Sequence, residues 1–315
     1  MTQHRFRLLA AFLAIYVIWG STYLGIRFAI ETLPPFLMAG ARFLLAGAVL
    51  YVWARRRGAA QPSRVHWITA AVVGSLLLIG GNGGVVWAEQ RVPSGLTALL
   101  IAIEPAWIVL LDWLRPGGSR PSGTVAAGLL LGFVGVGLLV SPLDLIGGGR
   151  VDPVGAVVVI LASFTWAVGS LYTARGARLP ASPMLATGME MLVGGALLLV
   201  LGSLAGEWSR FTPSAVSLRS VIALLYLTVF GAIIGFTAYV YLLQNTAPER
   251  ASTYAYVNPV IAVFLGWAFA GEALNGRVLL AAATIVSAVI LITRRQPASV
   301  PVAERPSVVP DITPA

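Results

Sequence analysis

The sequence predicts an all-α integral membrane protein of ten transmembrane helices arranged as two inverted five-helix repeats. Three observations carry that expectation. The 315 residues are 58% hydrophobic and 10% charged, where a soluble domain has about 45–50% and about 25%. Ten apolar runs fit the roughly 20 helical residues that a hydrocarbon core requires. The second half of the chain also repeats landmarks of the first.

The runs are Leu8 to Phe28, Phe36 to Trp53, Val65 to Ala88, Leu96 to Leu114, Val125 to Val140, Val154 to Ala174, Met184 to Leu204, Val221 to Leu243, Ala251 to Ala270 and Val278 to Thr293. Arg5 and Arg7 precede the first as they would precede a signal peptide. It ends at Arg27, Ala29 and Glu31, without a small-residue cleavage site, and reads as a retained helix. Arginine placement sets the topology. Counting alternate connections, Arg5, Arg7, Arg55, Arg56, Arg57, Arg64, Arg115, Arg120, Arg175, Arg178, Arg250, Arg294, Arg295 and Arg305 fall on one side. Arg91, Arg150, Arg210, Arg219 and Arg277 fall on the other. Cationic loops stay in the cytoplasm, so both termini are expected there, as an even number of spans requires. The segment after Gln296, with Pro297, Pro301, Pro306, Pro310 and Pro314, lacks apolar periodicity and is expected to be a disordered cytoplasmic tail, 296–315.

Laying the halves together puts Arg42 to Ala48 on Glu190 to Ala196, with Pro35 on Pro183 in the same register. A slightly different offset puts Gly81 on Gly235, Gln90 on Gln244, Pro105 on Pro259 and Trp113 on Trp267. A copy with an odd number of spans is followed by one entering from the opposite side, which is the inverted repeat of many secondary transporters. The expected units are 5–142 and 153–295.

The inventory excludes much chemistry. All 21 cationic residues are arginine, so there is no lysine for a Walker A motif or a Schiff base. Without cysteine there is no disulfide, thiolate nucleophile or cysteine-ligated metal. His4 and His66 fall at helix flanks, poorly placed for a buried metal or a Ser/His relay. No cofactor and no metal are expected. The net charge of +9 would suggest nucleic acid in a soluble protein. Here the arginines flank apolar spans, so the lipid bilayer is the expected partner. Gly147, Gly148 and Gly149 carry no phosphate signature and read as a loop.

The prolines are the sharpest signal. Pro105 and Pro259 each remove an amide donor near the middle of a span and free the carbonyl four residues earlier, at Ile101 and Ala255. Matched interruptions in two halves point to a binding site; the other reading is a packing kink. Glu104 and Asn258 sit beside them. An intramembrane carboxylate costs about 2.5–3.5 kcal/mol or more and marks a pathway or proton site by default, or else a structural ion pair. Arg42 and Glu190, at matching places, are candidates to pair with one another or with Glu104, while Asp112 and Arg27 lie near span ends where side chains snorkel. Polar-tipped rings and small polar groups at mid-depth suit an amphipathic ligand or ordinary packing: Trp19, Ser21, Tyr23, Asn82, Trp87, Trp107, Trp166, Ser170, Tyr172, Tyr239, Tyr241, Tyr254 and Tyr256. Trp53, Trp67 and Trp208 are belt residues by position. Gly128, Gly132 and Gly135 have the spacing of a close helix contact, and the run Gly80 to Gly84 around Asn82 is a candidate hinge.

Trp19-Gly20-Ser21-Thr22-Tyr23, Pro34-Pro35 with Arg42-Phe43, Asn258-Pro259 and Gly271-Glu272 together resemble the EamA pattern of the drug/metabolite transporter superfamily. The resemblance spans residues 5 to 295 and is nearest to the YddG-type amino-acid exporters. It implies ten helices around a central cavity and export of amino acids or related metabolites from the bacterial cytoplasm. Two departures stand out: the first copy shows Leu114-Arg115 where the second has Gly271-Glu272, and Glu104 replaces an apolar residue.

The expected function is a non-enzymatic secondary transporter or facilitator in the bacterial inner membrane. It exports amino acids, aromatic ones included, or similar small amphipathic metabolites by alternating access, with Glu104 the candidate proton carrier. A lipid-modifying enzyme would need a carboxylate–metal cluster or a histidine base, and a passive channel a ring of like charges or carbonyls. No feature demands an oligomer, and a monomer is compatible with the sequence.

Overall fold

The computed structural model of the chain describes residues 3–118, 120–139, 152–175, 177–245 and 254–293. Among them all regular structure is helical. The long helices are α1 (Gln3–Ala29), α2 (Pro35–Arg56), α3 (Arg64–Ala88), α4 (Ser94–Leu114), α5 (Gly123–Leu139), α6 (Pro153–Ala174), α7 (Pro183–Leu204), α8 (Leu218–Tyr239, with further turns to Asn245), α9 (Tyr254–Ala270) and α10 (Gly276–Thr293). Seven are long and apolar enough to cross a membrane, and α5, α9 and α10 are shorter apolar helices. The tail, the Gly147 to Gly149 loop, Arg250 and the side chains of Gln244 and Tyr256 lie outside the described residues.

Helix ends follow from local chemistry. Ser63, Ser182 and Ser217 each accept a backbone N–H three residues on, which satisfies an orphan donor of a helix start. His66 returns the bond by accepting from Ser63 N at 3.2 Å. Pro35 and Pro183 occupy the first turns of α2 and α7, where a proline loses nothing. Among the described residues four have positive φ, and all are glycines: Gly58 (86°), Gly117 (74°), Gly206 (70°) and Gly271 (66°). They form two matched pairs. Gly58 and Gly206 are related by the offset that sets Pro35 on Pro183, and Gly117 and Gly271 by the offset that sets Pro105 on Pro259. The first-copy counterpart of Gly271-Glu272 is therefore Gly117-Gly118, not Leu114-Arg115: the turn is kept and the carboxylate is lost.

Two close crossings organise the bundle. At the first, α2 and α7 run antiparallel with glycines facing backbone: a Cβ on Gly40 would lie 2.9 Å from Gly195 O, and one on Gly47 2.9 Å from Gly188 O. The register that aligns Pro35 with Pro183 exchanges Gly40 with Gly188 and Gly47 with Gly195, so each contact maps onto the other. At the second, the Gly128, Gly132, Gly135 stripe seats α5 against Ile292, Ala288 and Ile285 of α10, again antiparallel. Helices α3 and α6 pack together as α8 and α1 do, and α4 packs on α6 as α9 packs on α1.

Two carboxylates tie distant helix starts. Glu207, after α7, accepts from Phe36 N and Leu37 N at 3.1 and 2.9 Å at the start of α2. Glu272, after α9, accepts from Ser94 N, Ser94 Oγ and Gly95 N at 2.6, 2.7 and 2.9 Å at the start of α4. Each places negative charge on the positive end of a helix.

Candidate functional site

The site is made where helices depart from regular geometry. Helices α1, α3 and α8 widen into π-helical turns at Ile15–Trp19, Ser75–Gly83 and Leu227–Ile234. Such turns disturb the usual bonding ladder and recur at functional sites. Here Trp19 Nε1 donates to Gly231 O at 3.2 Å, joining two of them. The indoles of Trp166 and Trp19 lie over Gly81 and Gly235, where a Cβ would stand 2.7 and 2.4 Å from the rings. Larger residues there would expel the indoles.

Helix α4 is broken. Its first segment ends at Ile101, and the second starts at Glu104 with Pro105 in its first turn. Without an N–H on Pro105 the carbonyl of Ile101 loses its helical partner, and Ile101 lines the cavity described next. The matched interruption expected at Pro259 does not occur: α9 is continuous through it. Pro259 removes the helical partner of the Ala255 carbonyl without ending the helix.

A cavity of about 140 Å³ opens between α1, α2, α3, α4, α6, α8 and α9. Its walls bring together Trp19, Tyr23, Arg42, Asn82, Glu104, Trp166, Tyr254 and Asn258 from the expected set. Thr22, Phe43, Ser163 and Phe236 join them; as single residues in apolar runs they look like ordinary packing. Arg42 is 4% exposed, and its Nη2 donates to Asn82 Oδ1 at 2.7 Å. Arg42 Nε and Asn258 Oδ1 are buried without a partner among the described residues. No ion pair joins Arg42 to Glu104 or Glu190 among the described residues. The pairing expected for Arg42 is replaced by the neutral Asn82. An unpaired cation and an unpaired carboxylate thus share one largely apolar chamber.

Other expected residues stand outside it. Tyr239 packs its ring on Trp19 and Tyr254, 5.2 and 5.8 Å between centroids, as a layer behind them. Trp107 Nε1 donates to Ser163 Oγ at 3.0 Å and fixes that hydroxyl from behind. Ser21 bonds Tyr226 Oη at 2.5 Å, Trp87 lies under Arg91, and Tyr172 is exposed. Glu190 does not line the cavity. Glu89, which carries no signal in the sequence, is fully buried one residue beyond the α3 span.

The EamA-like transporter family profile matches residues 7–141 and 153–294. The chain is 41% identical over 287 residues to the inner membrane transporter YedA of Escherichia coli, covering 91% of this chain and 90% of that one. It is 26% identical to transporter YvbV of Bacillus subtilis, covering 95% and 94%. Protein PecM of Dickeya dadantii is 27% identical, covering 87% and 88%. A solved crystal structure shares the fold with a TM-score of 0.62 at 24% identity, over 93% of this chain and 98% of that one. A multi-span helical bundle holding a polar-tipped chamber at a broken helix, matched by this profile in both halves, belongs to the EamA-like transporter family.

Proposed function

We propose that the protein exports amino acids, aromatic ones included, or similar small amphipathic metabolites across the bacterial inner membrane by alternating access. This is the role of the YddG-type exporters that its motifs resemble. The observation that carries the reading is the shared chamber of Arg42 and Glu104, two opposite charges that do not pair with each other. A zwitterion offers a carboxylate to the first and an ammonium to the second, and a charge-assisted bond to each is stronger than a neutral one. Trp19, Phe43, Trp166 and Phe236 surround an apolar side chain.

The moving parts are two inverted repeats, 5–142 and 153–295, with both termini in the cytoplasm. The matched glycine caps, the self-mapping α2–α7 crossing and the paired helix contacts support that division. Rocking one repeat against the other opens the chamber to each side in turn. A monomer suffices, and the substrate and the bilayer are the only partners required.

The test is uptake of radiolabelled aromatic, aliphatic and charged amino acids by liposomes holding the purified full-length protein, with and without a pH gradient. Saturable, protein-dependent uptake of at least one amino acid is expected. No uptake across the panel by folded protein would overturn the amino-acid assignment.

A further inference from the structure

Glu89 is the least explained polar group in the described structure. It is 0% exposed, and both carboxylate oxygens are buried with no hydrogen-bond partner among the described residues. Buried polar groups are nearly always bonded, and an exception calls for a role. The ionisable groups that face it are Arg27 and Tyr23 from α1, Arg42 from α2 and Glu272 from the turn after α9. Helices α2 and α6 and the π-helical turn of α3 pack against the segment that ends beside Glu89. Neither α6 nor that turn adds a further charge within its packed length. Arg27 is committed in part to the backbone, its Nη1 donating to Glu89 O at 3.0 Å. Arg42 is different. It belongs to the substrate chamber, its Nε is unpartnered, and no ion pair joins it to Glu89 in this conformation.

We propose that Glu89 is a specificity-determining residue that competes with the substrate carboxylate for the charge of Arg42, and so sets how firmly that carboxylate is held and how fast it is released. The proposal rests on the zwitterion reading of the chamber. An ionised Glu89 offsets part of the Arg42 charge and loosens a bound carboxylate. A protonated Glu89 leaves Arg42 to the ligand. By linkage, carboxylate binding then favours a proton on Glu89 to the same degree, and affinity rises as pH falls through its titration. Protonation of Glu104 acts through the ammonium, and so alters ligands with and without a carboxylate alike.

The experiment is equilibrium binding to the purified full-length protein of labelled phenylalanine and of phenethylamine, which keeps the ring and ammonium but lacks the carboxylate, at acid and alkaline pH. Glu89→Gln is expected to bind phenylalanine about five- to hundredfold more tightly at alkaline pH, the usual span of couplings between sites. It should leave phenethylamine unchanged and lower the maximal efflux rate. Glu89→Asp, which keeps the charge, should behave as the wild type. Unchanged or weaker phenylalanine binding by Glu89→Gln, or equal shifts for both ligands, would overturn the proposal while the chamber reading stands. If Glu89→Gln does not fold, the wild type decides: the ratio of phenylalanine to phenethylamine affinity must rise with acidity, and a flat ratio overturns the proposal. Wild type that binds neither ligand overturns the amino-acid reading, and this proposal falls with it.

Discussion

Arg42 spends one hydrogen bond on a neutral amide and keeps the rest of its guanidinium for the chamber, where Glu104 also stands unpaired. Truncating one side of a buried charge contact costs about 2–5 kcal/mol. Arg42→Gln should therefore raise the KM for a carboxylate-bearing substrate roughly thirtyfold or more, since about 1.4 kcal/mol is tenfold. Uptake kinetics in liposomes check this, and an unchanged KM would remove Arg42 from the site. Glu104→Gln should abolish any dependence of transport on a pH gradient, measured with the gradient imposed and collapsed; persistent dependence would place the proton site elsewhere. At this scale the sequence is informative where a residue type is costly in lipid. Glu104, Arg42 and Asn82 stand out for that reason, and the structure puts all three on one cavity. Glu89 does not stand out, because one residue past an apolar run it reads as a loop. Its burial rests on long-range packing such as the Arg27 contact, 62 residues away in sequence.

Helices meet where their sequences allow backbones to touch. On α2 a Cβ at Gly47 would lie 2.8 Å from Leu192 N, so Gly47→Leu must push α2 and α7 apart. Overpacking of this kind costs about 1–3 kcal/mol, occasionally more. A lowered melting temperature in detergent is expected, while Gly137→Leu, at a position with nothing within 4 Å, should melt as the wild type. Equal melting of the two variants would contradict the crossing. Most spans are legible from hydropathy, with ends short by a few residues. The run expected from Phe36 to Trp53 proves to be Pro35–Arg56, because the flanking proline and arginines are polar on a transfer scale but helical in fact. The π-helical turn at Ser75–Gly83 falls on the glycine run that reads as a hinge, whereas those at Ile15–Trp19 and Leu227–Ile234, joined by the Trp19 bond to Gly231, carry no such signal. The break at Pro105 is legible from its proline; at Pro259 the helix runs on despite the lost donor, and the local sequence does not encode that difference.

The molecule as a whole is built from paired features, and the pairs are the part of the sequence that predicts most. Pro35 and Pro183 open matching helices, Gly81 and Gly235 carry matching indoles, and the four positive-φ glycines fall into the same two registers. The proposed inverted repeat requires opposite insertion of its two halves, which accessibility can test. The chain has no native cysteine, so single cysteines report cleanly. Trp208→Cys, at a residue 57% exposed, should react with an impermeant thiol reagent in intact cells, and Arg57→Cys only after permeabilisation. The reverse pattern would invert the topology. In the proposed cycle one chamber, holding one zwitterion, faces the two sides in turn. Counterflow tests this: liposomes preloaded with unlabelled phenylalanine are diluted into a trace of the labelled compound. A transient accumulation of label above equilibrium, abolished in Arg42→Gln, is the expected result. Label that only equilibrates, at a rate indifferent to preloading, would contradict alternating access and describe a passive pore instead.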